Sequence, residues 1–299
     1  MVQAEQEREL AAAPTPRRGV VGAVKRALRS RFGWLVPYEV RNKVLLAHTA
    51  PRLRLFERAE VRRLRPQVPA TPGDALVTVV VPTYRRPEML AEAVRSILGQ
   101  TVRELRIIVV DDGGGLPSLP ADPRVTAVSL RRNTAVAGVV RNVGIRLART
   151  EFVAFLDDDN RWEPGHLATA LGALRGPVGG PGGSSGLDGV YTALVRVLPD
   201  GTEVGLLSES FDRRAARERS FLDTNTFVAR RGRALRFSRL RRRREVMPRE
   251  DWELIYRFSR RHRIAHVAEP TVRYLVNPAA YFTAWDQPAV RRSQTPPGD

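Results

Sequence analysis

Between positions 76 and 156 the chain alternates short apolar runs with longer stretches whose apolar residues recur every three or four positions. The runs at 76–81, 105–110, 125–130 and 152–156 are rich in Val and Ile and short, which predicts buried parallel strands. Pro87 and Glu88 open a helix whose apolar positions Met89, Leu90, Ala93, Val94, Ile97 and Leu98 form one stripe. A second helix is expected at about 136–148. Strands alternating with helices predict an α/β fold with a mostly parallel sheet, right-handed crossovers and flanking helices.

The second half is less regular. A helix is predicted over 166–175, followed by a Gly-rich mobile loop at 176–186. Residues 189–207 read as a hairpin turning at Pro199-Asp200-Gly201. Further expectations are a strand at 226–229, a solvated arginine-rich loop at 239–244, a helix at about 249–261 and a short strand at 265–267.

Ahead of the sheet, residues 1–16 read as a disordered tail and 17–73 as a basic, helical extension and linker. The sheet domain is expected over 74–285, with a flexible tail at 286–299. Within the extension, Val20, Val21, Ala23, Val24, Ala27 and Leu28 share one stripe edged by Lys25, Arg26, Arg29 and Arg31, with Phe32, Trp34, Leu35 and Tyr38 following. That pattern suits either an interfacial helix on an anionic leaflet or a helix packed on the sheet domain.

The net charge of +18 over 299 residues comes almost wholly from arginine and favours anionic partners. There is no cysteine, so disulfides and thiolate metal sites are excluded, as a reducing cytoplasm would allow. No run reaches the ~20 apolar residues of a membrane span, and the charged start does not look like a secretory leader. The reading is therefore a cytoplasmic protein, with peripheral contact to the inner membrane face as an option.

The candidate chemistry begins where the strand at 152–156 ends in Asp157-Asp158-Asp159-Asn160. Three adjacent carboxylates repel one another unless water or a cation absorbs the charge. The carboxyl end of a buried parallel strand is where open α/β sheets bind ligands, so a divalent cation is the economical solution. Strand alternation would send Asp157 and Asp159 to one face and Asp158 to the other. Pro82, Thr83 and Tyr84 end the first strand, where a hydroxyl and a ring can border a nucleotide base. Asp111 and Asp112 precede Gly113; one suits an Asx turn while the other binds.

Taken together, the runs Val79-Val-Val-Pro-Thr83-Tyr84-Arg-Arg-Pro87, Val109-Val-Asp111-Asp112-Gly113, Arg141-Asn142-Val-Gly144, Phe155-Leu-Asp157-Asp158-Asp159-Asn160 and Glu250-Asp251 resemble a family 2 glycosyltransferase of GT-A fold. The resemblance covers about 76–277, roughly two-thirds of the chain. It implies an inverting enzyme that moves a sugar from a nucleotide-diphosphate sugar, UDP favoured, to a hydroxyl acceptor with Mn²⁺ or Mg²⁺. By the same resemblance Asp112 reads the base, Arg141 neutralises charge near the donor, and Asp159, with Asp157, holds the metal. Asp158 adjoins the ribose or a metal-bound water, and Asp251, with Glu250 as second choice, is the general base. The stretch 222–227 falls where the family places small polar residues near donor sugar or acceptor; Asn277 stands where many relatives carry histidine.

Two other readings differ in chemistry. A nucleotidyltransferase of similar fold is disfavoured because no Gly-rich, lysine-bearing loop follows the first strand. A non-catalytic basic module binding nucleic acid or membrane rests on arginine excess alone, without a nucleic-acid motif.

Overall fold

The computed structural model describes residues 20–70, 75–116, 118–176, 186–242, 246 and 248–276. The expected terminal tails, Asn277, most of the Gly-rich loop, part of the expected linker and Arg243 and Arg244 lie outside these residues. Ordered along the chain, the elements are α1 (Val20–Phe32), α2 (Leu35–Leu46), α3 (Ala50–Leu64), β1 (Val77–Thr83), α4 (Pro87–Leu98), β2 (Leu105–Asp111) and β3 (Val125–Ser129). There follow α5 (Ala137–Leu147), β4 (Phe152–Phe155), β5 (Arg161–Trp162), α6 (His166–Arg175), β6 (Gly189–Val197), β7 (Glu203–Leu207), β8 (Phe227–Arg230), α7 (Glu250–Phe258) and β9 (Ile264–Leu275).

Among the described residues the strands form one nine-stranded sheet in the order β3-β2-β1-β4-β8-β6-β9-β5, with β7 on β6. The half β3-β2-β1-β4 is parallel throughout, and the sheet turns antiparallel where β8 joins β4. The order reverses at β1: the chain runs outward through β2 and β3, then returns to place β4 on β1's other side. A crevice opens there beyond the carboxyl ends of the strands.

Period-two alternation explains why both faces of this half are buried. Val77, Val79, Val81, Ile107 and Val109 enter one core with Leu90, Val94 and Ile97 of α4 and Leu167, Leu171 and Leu174 of α6. Val80, Ile108 and Val110 enter the other, with Val140 and Val143 of α5 and Leu254, Ile255 and Phe258 of α7. Helix α5 is buried at every position but Ala137 and Arg146. At Gly144 a side chain would strike the Val80 methyls, so the helix backbone rests directly on β1.

Val61 and Leu64 of α3 belong to the same core as Val80, so α3 packs on the sheet domain. Its acidic positions are buried with it. Glu57 is wholly inaccessible; Arg239 donates to both its oxygens at 2.6 Å, and Asn142 and Arg146 donate at 3.2 and 3.3 Å. Arg242 donates to buried Glu39 of α2 at 3.0 Å, and Arg241 to the Thr134 carbonyl at 3.0 Å. Residues 239–242 are therefore no solvated loop, as the run of arginines suggested. Arg239 and Arg242 are the counter-charges that two buried carboxylates require. Replacing Glu57 with Ala should strand this cluster of guanidiniums and lower unfolding stability by about 3 kcal/mol. Chemical denaturation of variant and wild type measures it, and an unchanged midpoint would show that the pairing contributes little.

The last strand also departs from expectation. It runs over Ile264–Leu275 beside β6, not over a three-residue segment. Glu269 and Pro270 interrupt its apolar pattern, and the register with β6 shifts at Thr192/Ala193 and Ala193/Leu194.

Candidate active site

Five elements converge on the crevice: the ends of β1, β2 and β4, helix α5 and the start of α7. They enclose a cavity of about 580 Å³ whose lining includes Pro82, Thr83, Tyr84, Asp112, Arg141, Asp157, Asp158, Asp159 and Glu250. A second cavity, of about 440 Å³, adjoins it and holds Asp251, Asp223, Trp252 and Tyr274. Ala137, Arg141, Asp157, Arg249 and Glu250 line both, and so form the boundary between the two chambers. The side chains singled out in the sequence are thus gathered in one place, with Asp251 alone confined to the second chamber.

The two carboxylates after β2 divide their work. Asp111 accepts the amides of Gly114 and Gly115, each at 2.9 Å, and the Ser129 hydroxyl at 2.6 Å, so it makes the turn. Gly113 takes φ +77° within it. Asp112 faces the cavity and accepts the amides of Thr134 and Ala135 at 2.8 and 3.0 Å. Burial raises its pKa, and those amides offset only part of the rise. The same bonds hold Ala135 at φ 52°, a left-handed conformation costly for a residue with a Cβ, on the cavity wall. Tyr84, half exposed, lies beside Gly114, and the Arg85 guanidinium sits 5.2 Å from its ring centroid.

Beyond Phe155 the chain leaves the strand, and the alternation expected of the acidic triplet is lost. Asp157 accepts from Arg141 at 2.5 Å and from the Asn225 amide at 3.3 Å, while its own backbone N–H donates to Asn225 at 2.6 Å. Asp158 and Asp159 instead face a common partner. Arg86 donates to them at 3.2 and 3.0 Å, and the Thr83 hydroxyl donates to Asp158 at 2.8 Å. A turn closed by the Asn160 amide on the Asp157 carbonyl at 3.2 Å brings Asp159 to the same guanidinium as Asp158.

This grouping is electrostatically loaded. Burial, then the charges of Asp157 and Asp158, push the Asp159 carboxyl up to about 6. Burial also raises Asp158, against the pull of Thr83 and Arg86. Asp223, buried near Asp157 and Asp251, is pushed up to about 7. Burial and the neighbouring Glu250 raise Asp251 as well. At the centre stands Arg141, almost inaccessible. Burial would lower its pKa, but Asp157, Glu250 and Asp251 more than reverse that, and it stays charged.

An acid whose folded pKa is raised prefers its protonated form when folded. Asp223 therefore supports stability at low pH and withdraws that support as pH rises from about 4 to about 7. Melting temperatures at pH 5 and pH 8 should differ less in Asp223→Asn than in wild type. An equal fall in both would remove Asp223 as the cause.

Among the described residues no three carboxylate or histidine side chains converge so as to hold a metal by themselves. The donor set at Asp158 and Asp159 nevertheless fits a hard divalent ion that takes one or two carboxylates and completes its shell with substrate phosphates. Both are oxygen ligands with raised pKa, one-third of the Asp159 side chain is accessible, and the pair shares a single arginine. Arg86, a member of the first motif, is thus a site residue that sequence reasoning missed; its place beside a strand end was the available signal. Asp223, within the polar stretch 222–227, and Tyr274 belong to the second chamber. His262, 3.5 Å from Asp188, and His266, stacked on Tyr191, line neither cavity.

A parallel half-sheet with a nucleotide-sized cleft at its order reversal and carboxylates at the strand ends is the architecture of GT-A glycosyltransferases. In the solved structures, S. aureus TarS in complex with UDP-GlcNAc shares this fold, with a TM-score of 0.51 and 18% identity over 70% of this chain and 61% of that one. Residues 78–244, just over half of the chain, match the family model of glycosyl transferase family 2, and the protein belongs to that family.

The succinoglycan biosynthesis protein ExoW of Rhizobium meliloti (strain 1021) is 34% identical over 109 residues, 33% of this chain and 34% of that protein. The putative colanic acid biosynthesis glycosyl transferase WcaA of Escherichia coli (strain K12) is 31% identical over 106 residues, 33% of this chain and 38% of that one. The matches thus span about a third of these curated relatives. Glu250 and Asp251 lie beyond the segment matched by the family model.

Proposed function

We propose that the protein transfers a sugar from a nucleotide-diphosphate sugar to a hydroxyl acceptor with inversion at the anomeric carbon. The observation that carries this reading is the pair of adjoining chambers sharing Arg141, Asp157 and Glu250, with Asp251 in the second only. In this reading the nucleotide lies in the first chamber. Tyr84 and Pro82 border the base, and Asp112 accepts from a uracil-like imide through lone pairs its backbone amides leave over, which favours a UDP-sugar. Asp159 and Asp158 would hold Mn²⁺ or Mg²⁺, and that ion supplies Lewis-acid stabilisation of charge on the diphosphate leaving group.

The sugar then lies at the boundary, and the acceptor hydroxyl enters from the second chamber. Asp251 takes its proton as the oxygen attacks the anomeric carbon opposite the leaving diphosphate. A carboxyl raised by burial is a stronger base than a solvated one, and its place in the second chamber supports a role on the acceptor's side. Glu250, engaged by Arg141 at 3.2 Å, positions that arginine at the boundary. Asp157, held from both sides, keeps the sugar pocket's geometry fixed.

Purified protein with Mn²⁺ and a panel of UDP-, GDP- and dTDP-sugars tests the reading. Slow release of sugar from one donor class, with water replacing the acceptor, is the expected result. Neither binding nor turnover of any donor would contradict it.

A further inference from the structure

Helix α2 is amphipathic in the wrong sense for a helix that faces only water. Its inward side carries Glu39 and Asn42 beside Leu35, all buried, whereas Val40, Val44 and Leu45 are 56%, 72% and 56% exposed. On α3 the outward row is Arg54, Arg58 and Arg62, spaced four positions apart, with Leu55 beside it 65% exposed. Between these helices and the segment before α7 lies a groove of about 710 Å³, lined by Lys43, Arg54, Arg58, Arg236, Arg239 and Arg257. Against six cations stand three carboxylates: Glu253, paired with Arg257 and Lys43, Glu57, paired with Arg239, and Glu39, 3.7 Å from Lys43; among the described residues Arg54, Arg58 and Arg236 make no ion pair. Burial, and then the guanidiniums of Arg239, Arg257 and Arg54, hold Arg236 below the usual arginine range, as expected where cations crowd. The groove runs on into a smaller cavity of about 270 Å³ that adds Arg213 and Arg260 and has Val40 on its wall.

A concavity in which Arg54, Arg58 and Arg236 lack a carboxylate partner among the described residues, with aliphatic side chains projecting beside it, matches an anionic lipid surface, with phosphates above and acyl chains below. We infer that the α2–α3 face and the adjoining arginine groove dock the protein on an anionic membrane surface. The inference stands apart from the sugar-transfer reading. It also differs from contact through the apolar stripe of α1, most of whose side chains lie outside the described ones. No helix among the described residues is long and apolar enough to cross a membrane, so the contact is peripheral.

Flotation of the full chain with vesicles of phosphatidylglycerol or of phosphatidylcholine tests this. The protein should float with the first and stay behind with the second. Arg54→Ala/Arg58→Ala should lower partitioning by roughly thirtyfold, and Val44→Asp/Leu55→Asp by at least tenfold, both with unchanged melting temperatures because all four positions are exposed. Variants that float like wild type would overturn the inference, as would equal flotation with both lipids. A dimer dissolved by Val44→Asp/Leu55→Asp without loss of flotation would assign the face to a second copy of the chain instead. Tighter binding to duplex DNA than to the vesicles, lost in Arg54→Ala/Arg58→Ala, would assign it to nucleic acid.

Discussion

Asp251→Asn should reduce donor turnover by about a hundredfold to ten-thousandfold while leaving donor affinity within a small factor of wild type. Asp251 lies in the second chamber beside Glu250 and Asp223, and it accepts the amide of Trp252 at 2.7 Å, at the start of α7. Asn keeps the shape and that hydrogen bond but accepts no proton. Removing one of several mutually repelling carboxylates should also leave the fold as stable or more so. A loss of turnover with an intact melting curve therefore separates chemistry from unfolding. Water as acceptor needs the same base, so the assay does not depend on knowing the natural acceptor. Activity within twofold of wild type would remove Asp251 from the proton transfer and turn attention to Glu250.

Asp159→Ala should have an effect of similar size, by a different route. Losing the metal-facing carboxylate forfeits charge stabilisation worth about 4 kcal/mol, on the order of a thousandfold in turnover. It should also lower donor affinity measured with Mn²⁺ and flatten the response of turnover to Mn²⁺ concentration. In wild type, protonation of Asp159 near pH 6 places a second requirement on the same side. Binding of the metal-loaded donor is expected to strengthen as pH rises through about 6, where the carboxyl ionises. Unchanged Mn²⁺ dependence in the variant would contradict the assignment.

Much of this architecture was legible in the sequence because buried parallel strands announce themselves. The valines of β1 and β2 need apolar neighbours on both faces, and nothing else in the chain offers so short and uniform a signal. The division of labour between Asp111 and Asp112 was legible too, since an Asp before a run of glycines suits a turn, and Asp111 accepts the amides of Gly114 and Gly115. Other features were hidden because they depend on long-range partners. Residues 239–242 look solvated until Glu39 and Glu57, nearly two hundred positions earlier, are placed against them. Strand β9 contains Pro270 and exposed charge, which local pattern reads as a loop, and its pairing with β6 decides otherwise. In the acidic triplet, alternation failed because the strand stops at Phe155, two residues before the first carboxylate, and a turn sets the directions of Asp158 and Asp159. Arg86 stayed unseen for a related reason: an arginine in a basic chain carries no signal until two aspartates are found opposite it.

Calorimetric titration of UDP into the protein, with and without Mn²⁺, tests most directly whether the carboxylates at the end of β4 bind a diphosphate through a cation. Micromolar-range affinity that appears with Mn²⁺, and is largely lost in its absence and in Asp159→Ala, is the predicted result. No heat with UDP, GDP or dTDP under either condition, or binding indifferent to both the metal and Asp159, would contradict it.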